Sequence, residues 1–160
     1  MKTIMADDLN KLGAQAAQSP RLRANYNIHS DLADPIQRLV IAMQPGTYIR
    51  PHRHPHTWEL LYAMRGRFLV LHFDDVGMVI RRTILGEDCK VLETAAGDWH
   101  AVLSLDEGAV IFEVKHGPYT PISENDYAAW SQPDGTEEAA QLLAWYPVAA
   151  IGGSFSARKL

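Results

Sequence analysis

The sequence predicts an all-β fold of short antiparallel strands, a barrel or a sandwich, in one domain of 160 residues. From residue 38 onward, short apolar runs recur, each bounded by turn residues and with no helical pattern between them. Glycine and proline are frequent, with 11 and 9 residues, as expected of a chain with many turns. The seven predicted strands lie within residues 39–43, 58–64, 68–71, 78–85, 90–94, 99–105 and 109–114.

Short helices are predicted only at the two ends of the chain. Between residues 5 and 18, one apolar stripe is spaced by four, three and four residues, and Ser19-Pro20 ends it. A second helix is predicted from Thr136 to about Tyr146, with two glutamates in its first turn. The chain therefore divides into an N-terminal helix and lead-in (1–37), a β-barrel (38–117) and a C-terminal loop, helix and tail (118–160).

Composition and charge exclude several classes of function. Lysine and arginine number 15 against 19 acidic residues, so the net charge of −4 argues against a nucleic-acid partner. No apolar run approaches the roughly 20 residues that span a bilayer, and the start lacks a signal-peptide pattern, which predicts a cytoplasmic protein without a membrane partner. The single cysteine, Cys89, excludes an internal disulfide and a cysteine-built metal site.

Three of the seven histidines fall in the segment His52-Arg53-His54-Pro55-His56. Residues two apart on a strand point to the same face, so His52 and His54 are predicted to project together. Glu59 on the neighbouring strand adds a carboxylate, and His100 opens a later strand just after a turn. These four residues predict a site for one divalent transition metal, either zinc, iron, manganese or nickel. Glu59 either binds the metal itself or orients a ligand.

A regular strand would also place Tyr48 and Arg50 on the face of the metal-binding histidines. A phenol and a guanidinium beside a metal predict an anionic, oxygen-rich small-molecule ligand, bound by Tyr48, Arg50 and, at the rim, His56. On the last predicted strand, Phe112, Val114 and His116 share a face opposite Glu113 and Lys115, which would place His116 inside the barrel.

The histidine segment resembles the first cupin motif at every defining position. The match runs through Gly46, five residues, His52-Arg53-His54, four residues, Glu59, six residues and Gly66. The second cupin motif is matched in part, since Gly97 and His100 are in place while Ala95 stands for a proline and Ser104 for an asparagine. The resemblance implies a cupin (RmlC-like) antiparallel β-barrel or jelly roll that binds a metal.

More narrowly, the chain resembles the WbuC family of cupin-fold metalloproteins over about residues 9 to 146. The resemblance is carried by residues 23–29, 45–54 and 117–119. It implies a role near surface-polysaccharide metabolism.

Three functions compete. The first is a metal-dependent isomerase or epimerase of a sugar or sugar phosphate, with Tyr48 and Glu59 as catalytic residues. The second is an Fe(II)-dependent dioxygenase, and the third is a non-catalytic, metal-assisted binding or sensing protein. The narrow apolar stripe of the first helix and the apolar tail predict a homodimer.

Overall fold

Eight strands form two antiparallel sheets in the computed structural model, which describes residues 1–156. The larger sheet has the strand order β1-β2-β8-β3-β6, and the smaller sheet has the order β5-β4-β7. The strands are β1 (Arg23–Asn27), β2 (Ile36–Met43), β3 (Glu59–Arg65), β4 (Phe68–Phe73), β5 (Val79–Leu85), β6 (Val91–Thr94), β7 (Trp99–Ser104) and β8 (Ala109–His116).

The two sheets pack face to face through their apolar side chains. Leu61 and Ile111 of the larger sheet share one buried cluster with Phe68, Val70 and Val102 of the smaller sheet. Alternating residues on each strand meet in this way because successive side chains point to opposite faces. The predicted all-β class with helices at the ends is confirmed.

All seven predicted strands are present, and β1 is an eighth strand that was not predicted. Its sequence, RANYN, has no apolar alternation and lies at the edge of the larger sheet. It pairs along its whole length with β2, from Arg23 opposite Met43 to Asn27 opposite Leu39. Backbone hydrogen bonds to β2, rather than an apolar face, stabilise this strand.

Helix α1 (Ala6–Gln18) lies close to the predicted bounds and covers the outer face of the larger sheet. Leu12 and Ala16 are buried against Val40 and Val110. The larger sheet is therefore buried on both faces along β2 and β8, which matters for the site below.

Helix α2 (Glu137–Trp145) covers the outer face of the smaller sheet. The Thr136 side chain caps it by accepting from the backbone N–H of Ala139, 3.2 Å away, and Leu142 packs on Leu69 and Leu71. Among the described residues, no helix is long and apolar enough to cross a membrane. The three segment boundaries stay a prediction, and residues 157–160 of the last segment lie outside the described part of the chain.

Substitution of Gly66 tests the packing between β3 and β8. Gly66 has φ +70°, and a Cβ there would lie 2.8 Å from the Cβ of Ala109. Gly108 has φ +61° and open space around it, so Gly108→Ala should lower the free energy of unfolding only through backbone strain, by about 1–2 kcal/mol. We expect Gly66→Ala to lower the free energy of unfolding in urea by more than Gly108→Ala does. Equal losses would contradict a close approach at Gly66.

Candidate metal centre

His52, His54 and His100 come together at one end of the barrel. A pair of backbone hydrogen bonds joins His52 to His100: each N–H donates to the other's carbonyl, at 3.0 and 2.9 Å. Ring centroids lie 4.5 Å apart for His52 and His100, and 5.0 Å apart for His52 and His54. The three ligand nitrogens lie within 4.8 Å of one another, so the three imidazoles could hold one metal ion, as predicted.

Backbone carbonyls orient two of these rings. His52 Nδ1 lies 2.8 Å from the carbonyl oxygen of Arg50, and His100 Nδ1 lies 3.0 Å from that of Asp98. A carbonyl only accepts, so Nδ1 carries the proton and Nε2 keeps its lone pair for a metal. Burial lowers the pKa of His52 well below its usual value, which favours the neutral form that ligates.

The Glu59 carboxylate lies between two of the imidazoles. Its Oε1 is 3.3 Å from His54 Nε2, and its Oε2 is 3.2 Å from His100 Nε2. Neither nitrogen has a hydrogen-bond partner among the described residues, although both are buried. Buried imidazole nitrogens and carboxylate oxygens that face one another without a hydrogen bond are ligand atoms suited to a divalent cation between them.

Charge keeps Glu59 ionised in spite of its burial. Burial by itself would raise its pKa, but the imidazoles of His100 and His54 and the nearby Lys115 outweigh that effect. The pKa of Glu59 therefore lies well below its usual range. An ionised carboxylate is the form that a metal binds.

Two charged residues of β8, Glu113 and Lys115, also reach the site, although the apolar alternation of the strand predicted them on the opposite face. Lys115 Nζ lies 2.7 Å from Glu113 Oε1 and 3.4 Å from Glu59 Oε1. Both line a cavity of about 510 Å³ together with His52, His54 and Glu59. His116, expected inside, is exposed and lies against Trp58 with ring centroids 5.0 Å apart.

The reason for this error is that β8 is covered on both sides. Phe112 and Val110 pack beneath α1 on the outer face, and Ile111 packs in the barrel. Apolar residues therefore occur on both faces of the strand, and their alternation does not tell inside from outside. The sequence signal that could have located these residues in the site is a pair of opposite charges, Glu113 and Lys115, two residues apart on one face of a strand.

Tyr48 and Arg50 do not share the face of the histidines, which corrects the prediction. Tyr48 is buried beneath α2 and donates to the carbonyl of Gln132, 2.9 Å away, and burial raises its pKa to about 12. Arg50 donates to the side chain and carbonyl of Ser131, and its guanidinium lies 4.5 Å from the centre of the Tyr127 ring. Neither side chain lines the cavity of the histidines.

The physical cause is that the segment before His52 is not a regular strand. It makes only isolated bridges, at His52 with His100 and with Tyr127, so the alternation of faces does not hold. Ile49 lines the cavity and so does His52, three residues later. His56 is exposed in the turn after Pro55, on a neighbouring cleft that His54 also lines, and it is not part of the cluster of three imidazoles.

Comparison with family models identifies one match. The model described as a domain of unknown function (DUF6016) covers residues 4–85, which include His52, His54 and Glu59. The chain belongs to this family. Comparison with curated protein sequences finds no match.

Solved structures share the architecture at low sequence identity. TT1209 from Thermus thermophilus has a TM-score of 0.54 and 16% identity, over 72% of this chain and 97% of that one. KdgF from Halomonas sp. has a TM-score of 0.51 and 14% identity, over 64% and 83%. Oxalate oxidase in complex with the substrate analogue glycolate has a TM-score of 0.52 and 16% identity. The match covers 67% of this chain and 57% of the oxalate oxidase chain. The fold is therefore the cupin jelly roll, as predicted.

Replacement of His54 tests the metal site. His54→Ala removes one of three converging nitrogens, so the protein should lose most of its bound metal when it is dialysed against zinc and analysed by elemental analysis. His56→Ala is the matched control, because this imidazole is exposed and outside the cluster, and it should keep the wild-type metal content. Full metal content in His54→Ala would contradict the site.

The buried His72 predicts a pH dependence of stability. It lies opposite His100, with Nε2 3.1 Å from Thr94 Oγ1, and its burial is the main cause that lowers its pKa to about 4. The unfolded chain, with a histidine pKa of about 6.5, takes up the proton first as the pH falls. The folded protein should therefore lose up to about 3 kcal/mol between pH 6.5 and 4, and nothing above pH 6.5.

His72→Gln removes this titration and keeps a polar group for Thr94. The free energy of unfolding is measured in urea for both proteins, and the difference between wild type and variant is referred to its value at pH 8. This difference should fall as the pH is lowered to 4. A difference that stays constant with pH would show that His72 is not held neutral.

Proposed function

We propose that the chain is a metal-dependent enzyme that isomerises or epimerises a small, oxygen-rich anion, a sugar phosphate or a hydroxy acid. The observation that carries the proposal is the Glu113–Lys115 pair, which lies on the wall of the cavity that His52, His54 and Glu59 line. Isomerisation moves a proton between carbons, so it needs a base and an acid beside the group that activates the substrate.

The ligands of the proposed metal are His52, His54 and His100, with Glu59 as the fourth. The bound metal would supply a Lewis acid that polarises a carbonyl or hydroxyl oxygen of the substrate. The other side chains of the cavity then bind the substrate and move its proton.

Glu113 is proposed as the proton acceptor in place of Tyr48. Its side chain is buried, and burial followed by the Glu59 charge raises its pKa above the usual value, which makes it a stronger base than an exposed carboxylate. Lys115 holds Glu113 at 2.7 Å. Although burial acts to lower it, the two carboxylates raise the pKa of Lys115, so its ammonium can donate to a substrate oxygen without losing its own charge.

Two likenesses support the substrate class. The structure of oxalate oxidase contains glycolate, a small hydroxy acid, as a substrate analogue. The resemblance to the WbuC family supports a sugar derivative related to surface polysaccharides. The homodimer, the cytoplasmic location and the absence of a nucleic-acid or membrane partner remain parts of the proposal.

Exchange of carbon-bound hydrogen with solvent tests the function. The metal-loaded protein is incubated in D₂O with a panel of sugar phosphates and hydroxy acids, and deuterium uptake is followed by NMR. We expect uptake next to a carbonyl or hydroxyl carbon in at least one compound, with a loss of about a hundredfold or more in Glu113→Gln. Glu93→Gln is the control, because Glu93 is exposed on β6 and lies outside the cavity.

Two outcomes would contradict the proposal. Oxygen consumption with the iron-loaded protein, without deuterium uptake, would favour the dioxygenase. Binding of a compound without uptake or oxygen consumption would favour a non-catalytic binding protein.

A further inference from the structure

The cavity of the histidines shares several lining residues with a larger cleft beside it, called the outer cleft. The cavity has a volume of about 510 Å³ and the outer cleft about 750 Å³. Residues that line both spaces form the passage between them, and they include Arg21, Arg23, His54, Lys115 and Tyr119. A ligand that reaches the imidazoles from solvent through this cleft passes these side chains.

Two of the four lysines and arginines along this path already have an anionic partner. Lys115 is paired with Glu113 and Glu59. Arg53 is paired with Asp126 at 3.1 Å and lies over the ring of Trp99. These groups are neutralised by the protein itself, so they offer little net charge to a ligand.

Arg23 differs from these cations. It is half-buried, and within residues 1–156 its guanidinium makes no hydrogen bond and no ion pair. Glu113 and Asp134 act on it only electrostatically, and the exposed Arg21 adds a like charge beside it. Burial, with Arg21, lowers the pKa of Arg23. Because a partly buried cation without a hydrogen-bonded partner is unfavourable, its surroundings favour an added anion.

Each of the three guanidinium nitrogens of Arg50 has a partner outside the cavity. Its Nε and Nη2 donate to Ser131 at 3.1 and 3.0 Å, and its Nη1 pairs with Glu124 at 3.1 Å. These bonds fasten the loop after β8 to the segment before His52. Arg50 therefore acts in the structure of the loop, and it lines neither the cavity nor the cleft.

We propose that Arg23, supported by Arg21, binds an anionic group of the substrate in the passage. The substrate class is then a small molecule with an oxygen-rich end at the imidazoles and a carboxylate or phosphate at its other end. A planar guanidinium with free N–H groups suits both anions, which it binds through two parallel hydrogen bonds. This inference rests on the proposed function for the oxygen-rich end at the imidazoles, and on Arg23 for the carboxylate or phosphate end.

Calorimetric titration of three probes separates the two ends. Glycolate offers only the oxygen-rich end, malate adds a carboxylate, and 3-phosphoglycerate adds a phosphate. With the metal-loaded wild type, we expect malate or 3-phosphoglycerate to bind more tightly than glycolate, and the tighter of the two identifies the second anion.

Arg23→Gln should weaken the tighter probe by about tenfold or more and leave glycolate within about twofold. Arg23→Lys should restore only part of the loss, because the planar fork is missing. Arg65→Gln is the matched control, since Arg65 is also half-buried but lies outside both spaces. Circular dichroism and the Tm of each variant report whether it is folded.

Equal binding of the three probes to the wild type, or an equal loss for glycolate and the tighter probe in Arg23→Gln, would overturn the inference. Inorganic phosphate and the metal-free protein distinguish this failure from that of the proposed function. Phosphate binding that depends on Arg23 but not on metal would uphold the anion site even where glycolate does not bind. Metal-dependent binding of glycolate, with no effect of Arg23→Gln on malate, 3-phosphoglycerate or phosphate, would uphold the metal site alone.

Discussion

The burial of the Glu59 carboxylate is the constraint on which the site depends. A carboxylate removed from water costs several kcal/mol unless opposite charges and hydrogen-bond donors surround it. Here Lys115 supplies the opposite charge on one side, and on the other side lie the imidazoles of His54 and His100, whose nitrogens would share the proposed metal with Glu59. The antiparallel register places Glu59 directly opposite Lys115, so strand pairing fixes the compensating charge without a flexible loop.

The same backbone also fixes the imidazoles. His52 lies in an irregular segment, yet two hydrogen bonds to His100 hold its backbone against β7. The Nδ1 protons of both rings then go to carbonyls two residues earlier in the chain, which leaves the Nε2 lone pairs directed into the barrel. Positions set by main-chain bonds cost little reorganisation when a metal binds.

Sequence alone predicts those parts of the molecule in which local pattern and environment agree. Seven strands and both helices follow from apolar period and turn residues, and the His52, His54 and His100 cluster follows from motif spacing. β1 was missed because an edge strand needs backbone pairing but no apolar face. The predicted positions of Glu113, Lys115, Tyr48 and Arg50 were wrong because α1 buries the second face of β8, and because the segment before His52 lacks strand alternation.

The loop after β8 decides which arginine is free, and no local pattern contains that information. Residues 124–131 return over the metal-binding segment: the N–H of Arg53 donates to the carbonyl of Asp126 and the N–H of Ala128 to that of Pro51, at 3.0 and 2.9 Å. The loop's acidic and hydroxyl side chains then engage Arg50 and Arg53. Arg23 projects from the edge strand β1 and also lines the outer cleft beside this loop, but no side chain of the loop forms an ion pair with it. The loop thus neutralises Arg50 and Arg53, which are close to the histidines in the sequence. Arg23, five residues after the end of α1, keeps its charge on the lining of the passage.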